Sequence, residues 1–163
     1  MQNILNLGNR KLIAQAIFQS VLSYCITVWG GTNNKEIQAI QVIQNQAAQF
    51  VLKSPKRMKR RDMFAKLGWL TVNQLVAFHR IVAVYSIRNT GEPEYLFQKL
   101  SKDNYRGNII IPHTNLTLLK TSFSFDGAAL WNSVPASIRC IEKKTTFKKE
   151  VRSWVTENIM MFL

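Results

Sequence analysis

The residues with the clearest chemical potential in this sequence are cations crowded into one short stretch. Residues 53–61 contain six Lys and Arg and no acid: Lys53, Lys56, Arg57, Lys59, Arg60 and Arg61. Such a concentration of positive charge repels itself unless a counter-charge arrives. We therefore predict that these six residues contact the phosphates of a nucleic acid. A solvated loop and a nuclear-localisation signal are the alternatives.

Groups that could do catalysis are scattered along the chain. The aspartates stand alone in the sequence: Asp62, Asp103 and Asp126. Phosphoryl transfer by two metal ions needs clustered carboxylates that hold the ions about 4 Å apart. The cysteines and histidines complete no zinc-ligand spacing: Cys25, Cys140, His79 and His113. The sequence also lacks a Gly-rich phosphate loop, so we predict no catalytic centre, no metal site and no cofactor.

Length and charge favour a folded domain with a polyanionic partner. The chain has 163 residues, 47% of them apolar, and a net charge of +13. That charge favours nucleic acid or an anionic membrane surface. The apolar run at residues 81–85 is far too short to span a bilayer, and the basic run is not on an amphipathic face, so we expect no membrane partner. Cysteines without a disulfide pattern favour an intracellular location, in the nucleus or cytoplasm.

Helices are predicted for most of the first 100 residues. Residues 9–29 have one apolar face, capped by Asn9 and ended by left-handed glycine at Gly30 and Gly31. The face comprises Ile13, Ala16, Ile17, Val21, Tyr24 and Val28. Residues 34–52 form a second helix with a buried stripe of Ile37, Ile40, Ile43, Ala47 and Phe50 or Val51. Its glutamines are expected to be solvated, or else to hydrogen-bond a nucleic acid or a neighbouring helix.

Further helices are predicted at residues 61–67, 71–89 and 93–100, with Gly68 ending the first and Thr71 capping the second. Residues 109–111 and the alternation of Phe123 and Phe125 predict short strands, and Asp126 is expected to cap a helix behind them. A final amphipathic helix begins near Thr145 or Thr146. The prediction is a mainly α fold with a small β element near residues 109–125. We expect residues 1–100 to form a helical region and residues 101–163 to form a small α+β region that packs on it. The two regions are either separate domains or parts of one domain.

Residues 122–139 carry a distinctive order of residue types: Phe123, Ser124, Phe125, Ala128, Trp131, Asn132, Pro135, Ile138 and Arg139. This order resembles a segment near the carboxyl end of reverse transcriptases from non-LTR (LINE-like) retrotransposons of the jockey and CR1 type. Tyr24 and Trp29, and the stretch that begins at Trp69, resemble the thumb and following region of the same family. Cys25 stands where the family usually has glycine, and Val134 replaces its usual leucine.

The resemblance implies a helical, thumb-like bundle that holds a template–primer by its backbone. Family polymerases bind their catalytic metals on palm aspartates, and this sequence has no matching Asp-Asp pair, so we expect the chain not to polymerise on its own. RNA or DNA is the implied partner. The alternative is a helical interaction module that packs on a palm domain or on a second copy of itself. The aromatic and motif residues are interpreted as structural: Tyr24, Trp29, Trp69, Phe123, Phe125, Trp131, Asn132, Pro135 and Arg139.

Overall fold

The computed structural model describes residues 5–54, 58–111, 113 and 115–158, and these residues are mainly helical. The helices of the first half are α1 (Leu7–Ala14), a π-helical turn (Gln15–Gln19), α2 (Ser20–Ser23), α3 (Ile26–Trp29), α4 (Asn34–Leu52) and α5 (Arg60–Leu67). Those of the second half are α6 (Val72–Thr90), α7 (Glu94–Leu100), α8 (Thr117–Lys120), α9 (Phe123–Ser133), α10 (Ala136–Arg139) and α11 (Lys144–Glu157).

The first helix is not continuous, which corrects the prediction of one helix over residues 9–29. Asn6, and not Asn9, caps α1, because its side chain accepts a hydrogen bond from the Asn9 N–H at 2.8 Å. A π-helical turn follows α1, and Cys25 then adopts a left-handed conformation (φ 49°) that separates α2 from α3. The Trp29 indole N–H donates to the Tyr24 carbonyl at 2.9 Å and so satisfies a group that the break exposes.

The two glycines after α3 are needed for space and not for a left-handed turn. Gly30 has an ordinary helical φ of −63°. A Cβ on Gly31 would lie 2.5 Å from the Thr121 carbonyl oxygen and 2.9 Å from the Arg80 Nη2. Any side chain at Gly31 would therefore push this turn away from α6 and from the segment before α9.

The boundaries of α4 match the prediction, but its buried face is rotated relative to it. The buried residues of α4 are Ile37, Gln41, Gln44, Ala48 and Val51, whereas Ile43 and Phe50 are exposed. The Gln41 carbonyl oxygen accepts from the Val72 N–H at 2.9 Å. The Gln44 amide donates to the Leu70 carbonyl at 2.9 Å. These two glutamines are thus buried hydrogen-bonding groups that hold the start of α6, and the expectation that they are solvated is wrong.

Helix α5 ends and α6 begins as the sequence predicts. Gly68 follows α5 with φ 65°, and the Trp69 N–H donates to the Phe64 carbonyl at 3.0 Å, which is the Schellman pattern. Thr71 and Gln74 form a reciprocal capping box at the start of α6. Gln74 also donates to the Val155 carbonyl at 3.1 Å, which ties α6 to α11.

The main core surrounds α6. It contains Ile81, Val84, Tyr85, Ile87, Leu100, Ile109, Ala128, Trp131, Val134, Phe147, Val151 and Val155. The rings of Tyr85 and Phe147 stack with centroids 4.0 Å apart. Residues from both sides of position 100 share this core. Arg80, only 1% exposed, lies beside the core and pairs with Asp126 of α9.

The predicted β element is absent from the described residues, where only an isolated bridge joins Asp103 and Ile109. The Asn132 side chain takes the place of a partner strand, because its oxygen accepts from the Ile109 N–H at 2.8 Å and its amide donates to the Ile109 carbonyl at 2.9 Å. Phe123 and Phe125 lie in the first turn of α9 and not in a strand. Asp126 lies inside that helix behind Ser122, so it pairs with Arg80 and is not a cap.

Helices α7 and α11 differ from prediction only at their ends, whereas α8 and α10 were not predicted. Pro93 precedes α7 and is not its first residue. Lys143 precedes α11, so Thr145 and Thr146 lie within its first turn. Phe147, Val151 and Val155 are buried as expected.

The Arg80–Asp126 pair predicts an asymmetric double-mutant cycle. Asp126→Ala leaves a buried cation without its carboxylate and should lower the free energy of unfolding by about 3 kcal/mol. Arg80→Met in the Asp126→Ala background should recover most of that loss, since it removes the uncompensated charge. Urea unfolding of the wild type, of Asp126→Ala and Arg80→Met alone, and of the double variant measures the cycle. A double variant as unstable as the sum of the two single variants would contradict this role.

The left-handed residue between α2 and α3 predicts a stabilising substitution. Cys25→Gly should raise the free energy of unfolding by about 1 kcal/mol, because a left-handed conformation strains a residue that has a Cβ. Tyr24→Gly is the matched control: Tyr24 has an ordinary φ of −65°, so glycine there should only destabilise. Equal effects of the two substitutions in thermal unfolding would contradict the explanation.

Candidate nucleic-acid interface

The described members of the basic run lie at two consecutive helix ends. Lys53 directly follows α4, Lys59 directly precedes α5, and Arg60 and Arg61 belong to the first turn of α5. Lys53, Lys59 and Arg61 are exposed, and Arg60 is half-buried. The other two predicted contact residues, Lys56 and Arg57, and also Pro55, lie outside the described residues.

An apolar cluster fixes these helix ends relative to each other: Ala48, Val51, Met63, Phe64, Leu67 and Trp69. The chain leaves α4 through a second Schellman turn, in which the Ser54 N–H donates to the Gln49 carbonyl at 3.2 Å. Lys53 occupies the left-handed position of that turn (φ 50°), where glycine is the usual residue. The turn thus places a cation where the backbone favours a residue without a side chain.

Positive charge from α1 reaches the same end of α4. The Arg10 guanidinium donates from Nε to the Val51 carbonyl at 2.8 Å, and Lys11 is its neighbour in sequence. Residues 1–91 contain 12 of the 22 Lys and Arg but only two of the nine acids, Glu36 and Asp62. The first half of the chain therefore carries most of the net charge of +13.

The start of α5 is an electrostatically unbalanced helix end. Lys59 provides no side-chain cap, and two cations follow it in the first turn, where the helix dipole is already positive. Asp62 is the single acid of that turn. Within the described parts of the chain, Lys59, Arg60 and Arg61 form no ion pair. This arrangement of donors and charges fits an anion better than it fits water.

The tryptophans of the motif are structural in this fold. Trp69 and Trp131 are 7% and 5% exposed, which leaves neither ring available to stack on a base. Trp131 contacts Phe147 in the main core, and the Arg88 guanidinium carbon lies 5.5 Å from its ring centroid. Trp29 is half-buried and packs against the cluster of Leu22, Ile26, Leu70, Leu75 and Val76, whereas Tyr24 is exposed.

The rest of the motif positions the segment between α7 and α9. Asn132 holds Ile109 by its backbone, and Arg139 donates to the Gly107 carbonyl at 2.9 Å and to Asn108 Oδ1 at 3.1 Å. Pro135 precedes α10, as expected of a helix start. Phe123 packs against the main core, while Phe125 lines a separate groove beside α7.

Sequence reasoning missed a broad exposed apolar surface on the first helices. The stripe predicted to be buried is largely in solvent: Ile13 is 42%, Ile17 67%, Val21 72%, Tyr24 76% and Val28 77% exposed. On α4, Val42, Ile43 and Phe50 are more than half exposed. Periodicity identifies one apolar face without saying which neighbour covers it, so the sequence contains no signal that would have distinguished the two cases.

The described residues bring together no three His, Cys, Asp or Glu side chains that could hold a metal ion. Asp103 and Asp126 are both engaged with arginines of α6, Arg88 and Arg80. In the described ranges no single helix is long and apolar enough to cross a membrane. The pair α5 and α6 passes that test only together, with a 46° bend between them.

Comparison of this chain with models of protein families, with curated proteins and with solved structures gives no match.

Proposed function

We propose that this chain is a non-catalytic nucleic-acid-binding module that grips the sugar–phosphate backbone with the basic ends of α4 and α5. The observation that carries the proposal is the first turn of α5, where Lys59, Arg60 and Arg61 follow one another at a helix start that no side chain caps, and none of the three forms an ion pair within the described residues. Contacts of this kind neutralise phosphates and read no bases.

The likeness to the thumb of LINE-like reverse transcriptases supports the same proposal. A thumb holds template and primer by their backbones, which requires the basic surface that residues 1–91 supply. The family's usual glycine aligns with Cys25, and the left-handed backbone there is the conformation for which glycine is suited. Cys25 thus differs from the family in its side chain, but it lies in a backbone turn to which the family's glycine is suited.

Removal of the described cations at the start of α5 should weaken nucleic-acid binding in a salt-dependent way. Each phosphate contact contributes a slope of about −0.7 to −0.9 to log affinity against log salt. If two of the three cations reach phosphates, the variant Lys59→Ala, Arg60→Ala, Arg61→Ala should flatten that slope by about 1.5. Fluorescence anisotropy with labelled RNA and DNA of two unrelated sequences measures it, and the loss should be alike for both sequences.

The matched control removes three exposed lysines from elsewhere on the molecule: Lys99, Lys102 and Lys149. It loses the same charge and should change the slope much less. Equal flattening by both triple variants would show that only net charge matters. Unchanged binding by the first variant would remove α5 from the interface.

A second candidate function is a protein-interaction module, and the exposed apolar surface of α1 to α3 favours it. Monomeric proteins rarely leave a large contiguous apolar patch in water. Two copies that each carry a charge of +13 repel, so a less basic partner suits the surface better than a second copy does. The palm domain of a LINE-like reverse transcriptase is the partner that the resemblance implies.

The variant Ile17→Gln, Val21→Gln, Val28→Gln should fold normally, because these side chains are about 67–77% exposed, and should lose association with such a palm domain. Sedimentation velocity of the mixed proteins measures complex formation, and the chain alone reports self-association. Tyr95→Gln, Ile110→Gln, Leu119→Gln removes three other exposed apolar groups and should leave association unchanged. A wild-type chain that remains monomeric both alone and in the mixture would exclude this function.

A further inference from the structure

A polar cleft of about 280 Å³ lies away from the basic run, between the π-helical turn, the linker before α6, α6 itself and α11. Its polar lining residues come from the π-helical turn, α2, the linker before α6, α6 and α11: Gln15 and Gln19, Ser23, Trp69, His79 and Arg152. No acid lines it. The wall formed by Gln15 and Gln19 is the π-helical turn, a rare conformation that is frequent at functional sites.

Two buried donors beside this cleft have no acceptor. Trp69 Nε1 and Gln19 Nε2 are enclosed, yet no described group accepts a hydrogen bond from either. Leaving a buried donor unpaired is costly, so such groups usually indicate an ordered water or a ligand. Both are N–H donors, which means that the missing partner is an acceptor.

The charged side chains around the cleft are positive, so they favour an anionic acceptor, as the two N–H donors do. Arg152 is fixed at its rim by a hydrogen bond from Nη2 to the Gly68 carbonyl at 2.7 Å. The pKa of His79 is lowered by burial first, and then by the positive charges of Lys148 and Arg152. His79 is therefore neutral near pH 7, and a bound anion would offset the positive charges that lower its pKa.

From these observations we infer that the cleft binds a phosphate monoester group, with Arg152, Trp69 and Gln19 as donors and His79 as a group that gains a proton on binding. A phosphate monoester fits better than a monoanion because it carries about −1.5 to −2 charges near neutral pH and three strong acceptor oxygens. The group is either a free small phosphate or the terminal phosphate of a nucleic-acid strand. None of the described residues of the basic run lines the cleft.

The sign of the pH dependence follows from His79. A bound phosphate stabilises the imidazolium, so it should raise the pKa of His79. By linkage, affinity for phosphate should then rise as pH falls through the pKa of His79 in the complex. The charged groups that act on His79 are Lys148 and Arg152 of α11; Arg80, next in sequence, is paired with Asp126. The π-helical turn, α2 and the linker contribute only uncharged residues to the cleft.

Proton NMR of the two histidines in the full chain tests the inference. Inorganic phosphate is titrated in a phosphate-free buffer at constant ionic strength, and the pKa of each histidine is measured with and without it. We expect the pKa of His79 to rise by about one unit, as an opposite charge within a few ångströms produces. His113, which is exposed and outside the cleft, should show no response to phosphate and serves as the internal control.

Three variants identify the donors. Arg152→Gln should weaken phosphate binding about tenfold or more, because it removes one charge-assisted hydrogen bond. Lys149→Gln removes the same charge from another exposed position of α11 and should not weaken it. Gln19→Leu should weaken phosphate binding without changing net charge. A shift of both histidines together, no shift of His79 at saturating phosphate, or equal weakening by Arg152→Gln and Lys149→Gln would overturn the inference.

The source of the phosphate is resolved by a 5′-phosphorylated trinucleotide and its 5′-hydroxyl counterpart. A rise in the pKa of His79 with the first and not the second supports a strand terminus as the ligand. A rise with inorganic phosphate alone supports a free small phosphate.

Discussion

The buried cation in the middle of α6 is the constraint around which this fold is arranged. Arg80 is 1% exposed, and a charge at that depth is tolerated only with an opposite charge and hydrogen-bond acceptors beside it. Asp126 supplies the opposite charge from α9, and the Thr121 carbonyl lies 3.5 Å from Nη2. The close approach of Gly31 to the same guanidinium brings in the turn after α3. One side chain thus fixes three segments that are distant in sequence.

The second constraint is the burial of amides where apolar residues were expected. Gln41 and Gln44 bond the backbone at the start of α6, and Gln74 bonds the end of α11. Each amide satisfies a backbone group that would otherwise be buried without a partner. Turning the amide face of α4 inward also turns Ile43 and Phe50 outward. The exposure of Ile43 and Phe50 on α4 is thus a consequence of the hydrogen bonds that Gln41 and Gln44 make to backbone groups at the start of α6.

Charge and polarity are distributed so that different surfaces suit different ligands. The end of α4 and the start of α5 carry cations on an open surface. Such a surface suits the regularly spaced charges of a nucleic-acid backbone. The cleft beside the π-helical turn has enclosed donors and a histidine whose pKa is lowered, which suits one small anion in a defined position. The exposed face of α1 to α3 consists of apolar side chains and not of clustered cations or enclosed donors, so it suits a protein partner.

The sequence by itself determined the helices whose ends are marked by local chemistry. Gly68 and Thr71 act on groups within a few positions of themselves, so the end of α5 and the start of α6 follow from residue order. The mainly α fold was predictable from the apolar periodicity. The start of α5 was predicted at Arg61, one residue late, and no side chain caps it. The tertiary structure alone decided which helix face is covered, that Asn132 replaces a strand, and that Asp126 belongs to Arg80. Each of these depends on a partner dozens of positions away, and periodicity in one segment contains no information about that partner.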